Sequence, residues 1–147
     1  MSQNMELLNR VDIFQSLDDN IKIKFLDIME KVSVHAGEDV AVKGGQGFYF
    51  FILVWGTAIL SFDDGKAVVF NESGDFIGFE MLLAQGKYKA TLTSLTDSDI
   101  LFVDYSKFLE IIQEDSSMAE SMRSRWEAFL LKKAPFVEKL DLFRNQI

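Results

Sequence analysis

The chain of 147 residues contains no cysteine, one histidine (His35) and one proline (Pro135). Without cysteine there are no disulfides and no thiolate nucleophile. That agrees with a cytoplasmic setting, where structural disulfides are rare. A lone histidine supplies neither a clustered metal site nor a nucleophile–base relay, so His35 reads as a turn or surface residue and no enzyme chemistry is expected. Long apolar runs are also missing. The longest, Phe48 to Leu60, is broken by Trp55-Gly56-Thr57 and is too short to cross a membrane. The N-terminus has no basic stretch leading into an apolar one, so no secretion signal is read there. Basic charge is in deficit, at a net −8. Phosphate neutralisation needs clustered Lys and Arg, so nucleic acid is not an expected partner, and neither is a membrane.

What is present is a chain built to pack. Hydrophobic residues make up 48%, with 14 Phe, enough for one ordinary core and too many for a disordered tract. The charge is uneven. Residues 1–117 carry 9 basic and 19 acidic side chains, a net of −10, whereas residues 118–147 carry 6 and 4, a net of +2.

The most informative stretch is Gly74 to Leu95, GDFIGFEMLLAQGKYKATLTSL. A Gly-Asp turn leads past Gly78 into the apolar Met81-Leu82-Leu83, then through a Gly86-Lys87-Tyr88-Lys89 loop into a strand at Ala90-Thr91-Leu92. A strand, a one-turn helix and a tight basic loop can converge their amides on an anion.

This stretch resembles the phosphate-binding cassette of the cyclic nucleotide-binding domain family, G-D-F-x-G-E-L-A-L-L followed six residues on by R-x-A-T-V. Upstream, Gly37-Glu38, Gly44, Gly47, Phe50 and Gly56 fall on the family's glycine spacing. Downstream, Leu95 to Leu101 and then Phe108-Leu109 continue it, so the likeness covers roughly residues 5 to 115. The resemblance implies a mainly β fold with flanking α: an antiparallel double-sheet β-roll (jelly roll) with an N-terminal helical pair, a short cassette helix and C-terminal helices. It divides the chain into a roll domain, 1–116, and a C-terminal helical segment, 117–147. Metal-dependent cupins share the jelly-roll shape but need the histidine cluster this chain lacks.

The same resemblance marks the cassette positions: Gly78, Phe79, Glu80, Lys87, Tyr88, Lys89, Ala90 and Thr91. In the family a Glu after the cassette glycine receives the ribose hydroxyl and an Arg neutralises the cyclic phosphate. Here those positions hold Phe79 and Tyr88, so both charged groups are missing. A phenol cannot replace a guanidinium fork, and Phe79 offers no acceptor. Glu80 stands one residue late. Lys87 and Lys89 flank Tyr88 at odd offsets, so in an extended segment they face away from it. A solvated basic loop is the plainer reading of the two lysines.

Taken in order, Leu7 to Leu17 reads as a short helix and turn. A second helix, about Ile21 to Val32, is capped by Asp18 or Asp19 and buries Ile21, Phe25, Ile28 and Met29. Strands are read at Val40–Val42, at Phe48–Val54 (apolar on both faces), and at Ala58–Leu60 and Ala67–Phe70 around the Asp63-Asp64-Gly65-Lys66 hairpin turn. Further strands are read at Ala90–Leu95 and Ile100–Val103. Helix Lys107–Glu114 has Asp104 and Ser106 as capping candidates. Trp55 stands where the family usually has a small residue, either over an apolar patch or exposed to a partner.

From Ser116 a longer helix places Met118, Met122, Trp126 and Phe129-Leu130 on one stripe. The resemblance implies that this helix packs beside the cassette, dimerises, or carries an aromatic that caps the base. Trp126 is the candidate lid, and simple packing on the roll or on a second subunit is the plainer reading. Leu130 to Asp141 echoes Leu7 to Asp18 at an offset of 123 residues, as the start of a second such module would; a terminal helical hairpin is the alternative.

The function expected is a non-catalytic regulatory module without a cofactor. It would act through other protein domains, further modules of a longer chain, or a homodimer formed by its C-terminal helix. The alternative is a sensor that binds a cyclic nucleotide through a modified cassette and moves that helix.

Overall fold

A computed structural model of the chain describes residues 3–15, 17–78 and 86–133. Two helices open it, α1 (Gln3–Leu8) and α2 (Asp19–Leu26), with a 3-10 turn at Asp12–Phe14 between them. Eight strands follow: β1 (Met29–Val34), β2 (Asp39–Ala41), β3 (Tyr49–Trp55), β4 (Ala58–Phe62), β5 (Ala67–Phe70), β6 (Phe76–Ile77), β7 (Ala90–Ser94) and β8 (Ser98–Asp104). Helices α3 (Tyr105–Gln113) and α4 (Ser116–Lys133) close the described part.

The strands form two antiparallel four-stranded sheets, ordered β1-β8-β3-β6 and β2-β7-β4-β5. Their sequence patterns differ because their surroundings differ. In the second sheet burial alternates: Ala58 and Leu60 of β4, Val68 and Phe70 of β5, and Ala90 and Leu92 of β7 point inward. The centre of β3, Phe50 to Leu53, is buried throughout, because the sheet's outer face carries a helical layer. There Phe50 lies 5.2 Å from Phe108 of α3 and 5.5 Å from Phe76, and Phe25 of α2 lies 5.2 Å from Phe108. The mainly β double-sheet roll expected from the sequence is the fold observed.

Carboxylates start the helices. Asp18 accepts the Ile21 N–H at 3.0 Å and Asp104 accepts that of Lys107 at 2.9 Å. Asp115 accepts those of Ser117 and Met118 at 3.0 and 3.1 Å. Each satisfies a donor that the first turn leaves over. Ser106 lies inside α3 and is not its cap.

The second helix is shorter than its apolar spacing suggests. It ends at Leu26, and Met29–Val34 runs antiparallel to β8 from Met29 opposite Val103 to Val34 opposite Ser98. Met29, Val32 and Val34 are its partly buried positions, so what reads as a helical stripe at Ile28 and Met29 is the entry to an edge strand. The expected helix to Val32 is corrected accordingly. The short cassette helix and the tail beyond Lys133 lie outside the described residues, and with that tail goes the echo of the N-terminus from residue 134 on; its first four residues, 130–133, end α4.

Candidate functional site

The Gly-Asp turn sets the entry to the cassette. Gly74 has φ +96°, a left-handed conformation that favours glycine, and a Cβ there would meet the Arg10 carbonyl at 3.2 Å. Asp75 is buried, and its carboxylate accepts the Glu72 N–H at 3.1 Å. Leu53 and this turn exchange backbone bonds, Gly74 N–H to Leu53 O and Leu53 N–H to Asp75 O. Gly78 is required by packing: a Cβ would fall 2.2 Å from the Phe76 ring. Both cassette glycines therefore have a structural reason to be there.

The far side of the cassette is knitted to the glycine turn between β2 and β3. Gly44 N–H donates to Tyr88 O at 2.8 Å, Tyr88 N–H to Gly45 O at 2.9 Å and Gly47 N–H to Gly86 O at 2.6 Å. Gln46 and Lys87 form an antiparallel bridge. The amide of residue 88 is thus committed to the protein itself.

Tyr88 then turns its ring into the roll. It is 5% exposed and packs 6.3 Å from Phe51. Its hydroxyl donates to the Tyr49 carbonyl at 2.9 Å and accepts the Tyr49 N–H at 3.1 Å. Those two backbone groups face away from β8, on the edge where β6 pairs Ile77 with Phe51. One phenol hydroxyl therefore does there what the next residue of a longer neighbouring strand would do. Burial raises the Tyr88 phenol above its ordinary value, so it remains protonated and can serve as donor and acceptor together.

The remaining cassette residues are dispersed. Lys87 is exposed and Lys89 half-buried, on either side of the inward-facing Tyr88. Ala90 is buried on the inner face of β7, and the hydroxyl of Thr91 accepts the Lys43 N–H at 3.1 Å. Phe79 and Glu80 lie outside the described residues. Trp126 is fully buried on α4, in line with the buried Met118, Met122 and Phe129. Helix α4 lies across the 3-10 turn, whose Ile13 lines a groove of about 230 Å³ with Phe108, Ile112 and Met122. Sequence reasoning missed Tyr49 and Gly45 as partners of Tyr88. Only the inward alternation of β3 and the glycine spacing bear on them, and neither predicts a side chain bonding to backbone.

A double-sheet roll with a helical pair before it, a Gly-Asp turn within it and a long helix behind it has the architecture that the sequence resemblance implies. The comparison with known families agrees: the cyclic nucleotide-binding domain matches residues 31–115, more than half the sequence, and the chain belongs to that family. The cAMP-dependent protein kinase regulatory subunit of Blastocladiella emersonii is 26% identical over 138 residues, which is 90% of this chain and 33% of that protein. The chain thus spans about a third of the curated relatives it matches. Among solved structures, the sensor domain of the transcriptional regulator DNR from Pseudomonas aeruginosa is similar with a TM-score of 0.73 at 20% identity, over 88% of this chain and 93% of that one. The cAMP-bound PfPKA-R is similar with a TM-score of 0.68 at 23% identity, over 88% and 46%. At these identities the structural likeness speaks for the fold.

Proposed function

We propose that the chain is a regulatory module of the cyclic nucleotide-binding domain family whose cassette does not take cyclic AMP or cyclic GMP in the family's usual way. It acts through contacts with other protein domains, as a part of a larger assembly or as a homodimer formed along α4. The observation that carries this reading is Tyr88. It stands where the resemblance puts the phosphate-binding arginine, it is buried, and its hydroxyl is already engaged by both backbone groups of Tyr49.

A cyclic phosphate in this position would be buried without a guanidinium. Losing one partner of a buried hydrogen-bonded charge pair costs about 2–5 kcal/mol, or roughly 30- to 3,000-fold in affinity. Neither neighbouring lysine lies on the side to which Tyr88 points.

The test is thermal unfolding of the full chain with millimolar cyclic AMP, cyclic GMP and cyclic di-GMP. A ligand at about 100 times its dissociation constant adds ~2.7 kcal/mol and moves Tm by several degrees. No shift is expected from any of the three. A clear shift with one would overturn the reading and make the chain a sensor with a modified cassette. The double substitution Phe79→Glu and Tyr88→Arg restores both missing charges and is expected to gain cyclic nucleotide binding.

A further inference from the structure

At the end of the roll away from α3, one row of side chains crosses three adjacent strands: Ser33 of β1, Asp99 of β8 and Trp55 of β3. Ser33 Oγ donates to Asp99 Oδ1 at 2.7 Å and Trp55 Nε1–H donates to Asp99 Oδ2 at 2.8 Å. By strand alternation Asp99 shares its face with Val103, the face that the helical layer covers further along. Four residues along β8, roughly 13 Å, carry the row beyond that layer. Trp55 is accordingly 53% exposed, and no described cation or ring is recorded against its indole.

The local backbone is shaped to present this tryptophan. The pairing of β3 with β8 shifts between Leu53 and Trp55, and such an irregularity re-aims the side chains that follow it. Gly56 has φ +109° and a Cβ there would sit 2.1 Å from Ser98 Oγ, so the turn that follows the tryptophan is open only to glycine. Around the row the charge is mostly negative. Asp97 and Glu38 lie in the adjoining turns, with Lys31 and His35 as the nearby basic groups. The Asp99 carboxyl is held below its usual value, first by the Ser33 hydroxyl, and is ionised at neutral pH.

We propose that Trp55 and Asp99 form a docking point for an arginine side chain on a basic segment of a partner protein. The guanidinium plane stacks on the open indole face, and its edge reaches the lone pairs that Ser33 and Trp55 leave free on the carboxylate. Arginine fits better than lysine because it combines a flat face with a fork of donors. The hydrogen-bonded row fixes the ring before the partner arrives, which lowers the entropy lost on binding. The net charge of −10 over residues 1–117 draws a basic partner from a distance. This inference rests on the reading that the module works through protein contacts, and it names where one such contact is made.

The test is an NMR titration of the ¹⁵N-labelled full chain with a blocked Gly-Arg-Gly-Arg-Gly peptide, alongside a counterpart in which citrulline replaces arginine. The arginine peptide is expected to move the Trp55 indole N–H resonance and the amides of Asp97 to Asp99, and the citrulline peptide to move none of them. Trp55→Ala and Asp99→Asn should each weaken binding by roughly two- to fivefold, the worth of a single exposed cation–π contact or surface charge pair, with core resonances unchanged. Equal shifts from both peptides, shifts mapping elsewhere, or none at millimolar peptide would overturn the proposal. Cyclic AMP titrated into the same sample separates the two readings. Shifts at Gly78 and Tyr88 would remove the proposed reading of the cassette and leave the protein-contact site standing, whereas silence from the arginine peptide would remove only the site.

Discussion

Replacing Tyr88 by Phe removes one oxygen and keeps the ring that packs near Phe51. The oxygen makes two bonds, to the carbonyl and to the N–H of Tyr49 at 2.9 and 3.1 Å. A neutral hydrogen bond contributes about 0.5–1.5 kcal/mol net, so the loss is expected at about 1–3 kcal/mol. The Tyr49 residue is 38% exposed, and water reaching its backbone would set the lower end of that range. At roughly 2–4 °C per kcal/mol for a chain of this size, Tm falls by several degrees. Urea unfolding followed by far-UV circular dichroism measures the change, with the m-value expected to stay constant. Tyr105→Phe is the control. That ring packs 4.9 Å from Phe50 and its phenol is also raised by burial, yet no partner for its hydroxyl is recorded among the described residues; its loss should cost under about 0.5 kcal/mol. If the two substitutions cost the same, or Tyr88→Phe costs nothing, the hydroxyl is not holding the edge of β3 and the argument for an occupied cassette fails with it.

Stability should decline as pH rises above about 10. Burial raises the Tyr88 and Tyr105 phenols in the folded chain, so the unfolded chain releases its protons first, and stability drops from the ordinary value of 10.0 through the raised folded values; thermal unfolding across that range checks it. Gly56→Ala should cost on the order of 3 kcal/mol or more, because a positive φ combines with a 2.1 Å approach to Ser98. Gly65→Ala meets open space and should cost only about 1–2 kcal/mol for its φ of +85°, both read by urea unfolding. Asp104→Ala removes the cap of α3 and should cost about 0.5–2 kcal/mol, whereas Asp104→Asn, which still caps, should be near neutral in the same assay.

Where each element carries a pattern of its own, the fold was legible in the sequence. Glycines at positive φ, the Asp-Gly hairpin and the continuous apolar run of β3 each follow from local chemistry. β1 was not legible as a strand, because Phe25, Ile28 and Met29 satisfy a helical period as well as they lead into an edge strand. What decides between them is the pairing with β8, some seventy residues away. The site was legible as a list of positions and not as a set of contacts. That Tyr88 sits in a short loop between two lysines is visible in one dimension; that its hydroxyl closes both groups of Tyr49, on a strand 39 residues away, is not. For Trp55 the sequence left covered and exposed open, and the pairing shift before it with the carboxylate opposite gives the exposed arrangement.

The central place of β8 in its sheet has a consequence for synthesis. β3 is complete at Trp55, but its neighbour ends only at Asp104. At translation speeds of about 5–20 residues per second, that interval is roughly 2–10 s. Throughout it, Phe50 to Leu53 emerge from the ribosome without the strand that covers their edge. Nascent chains of this protein should therefore be clients of holding chaperones until β8 appears, and released fragments ending between residues 55 and 98 should aggregate where the full chain does not.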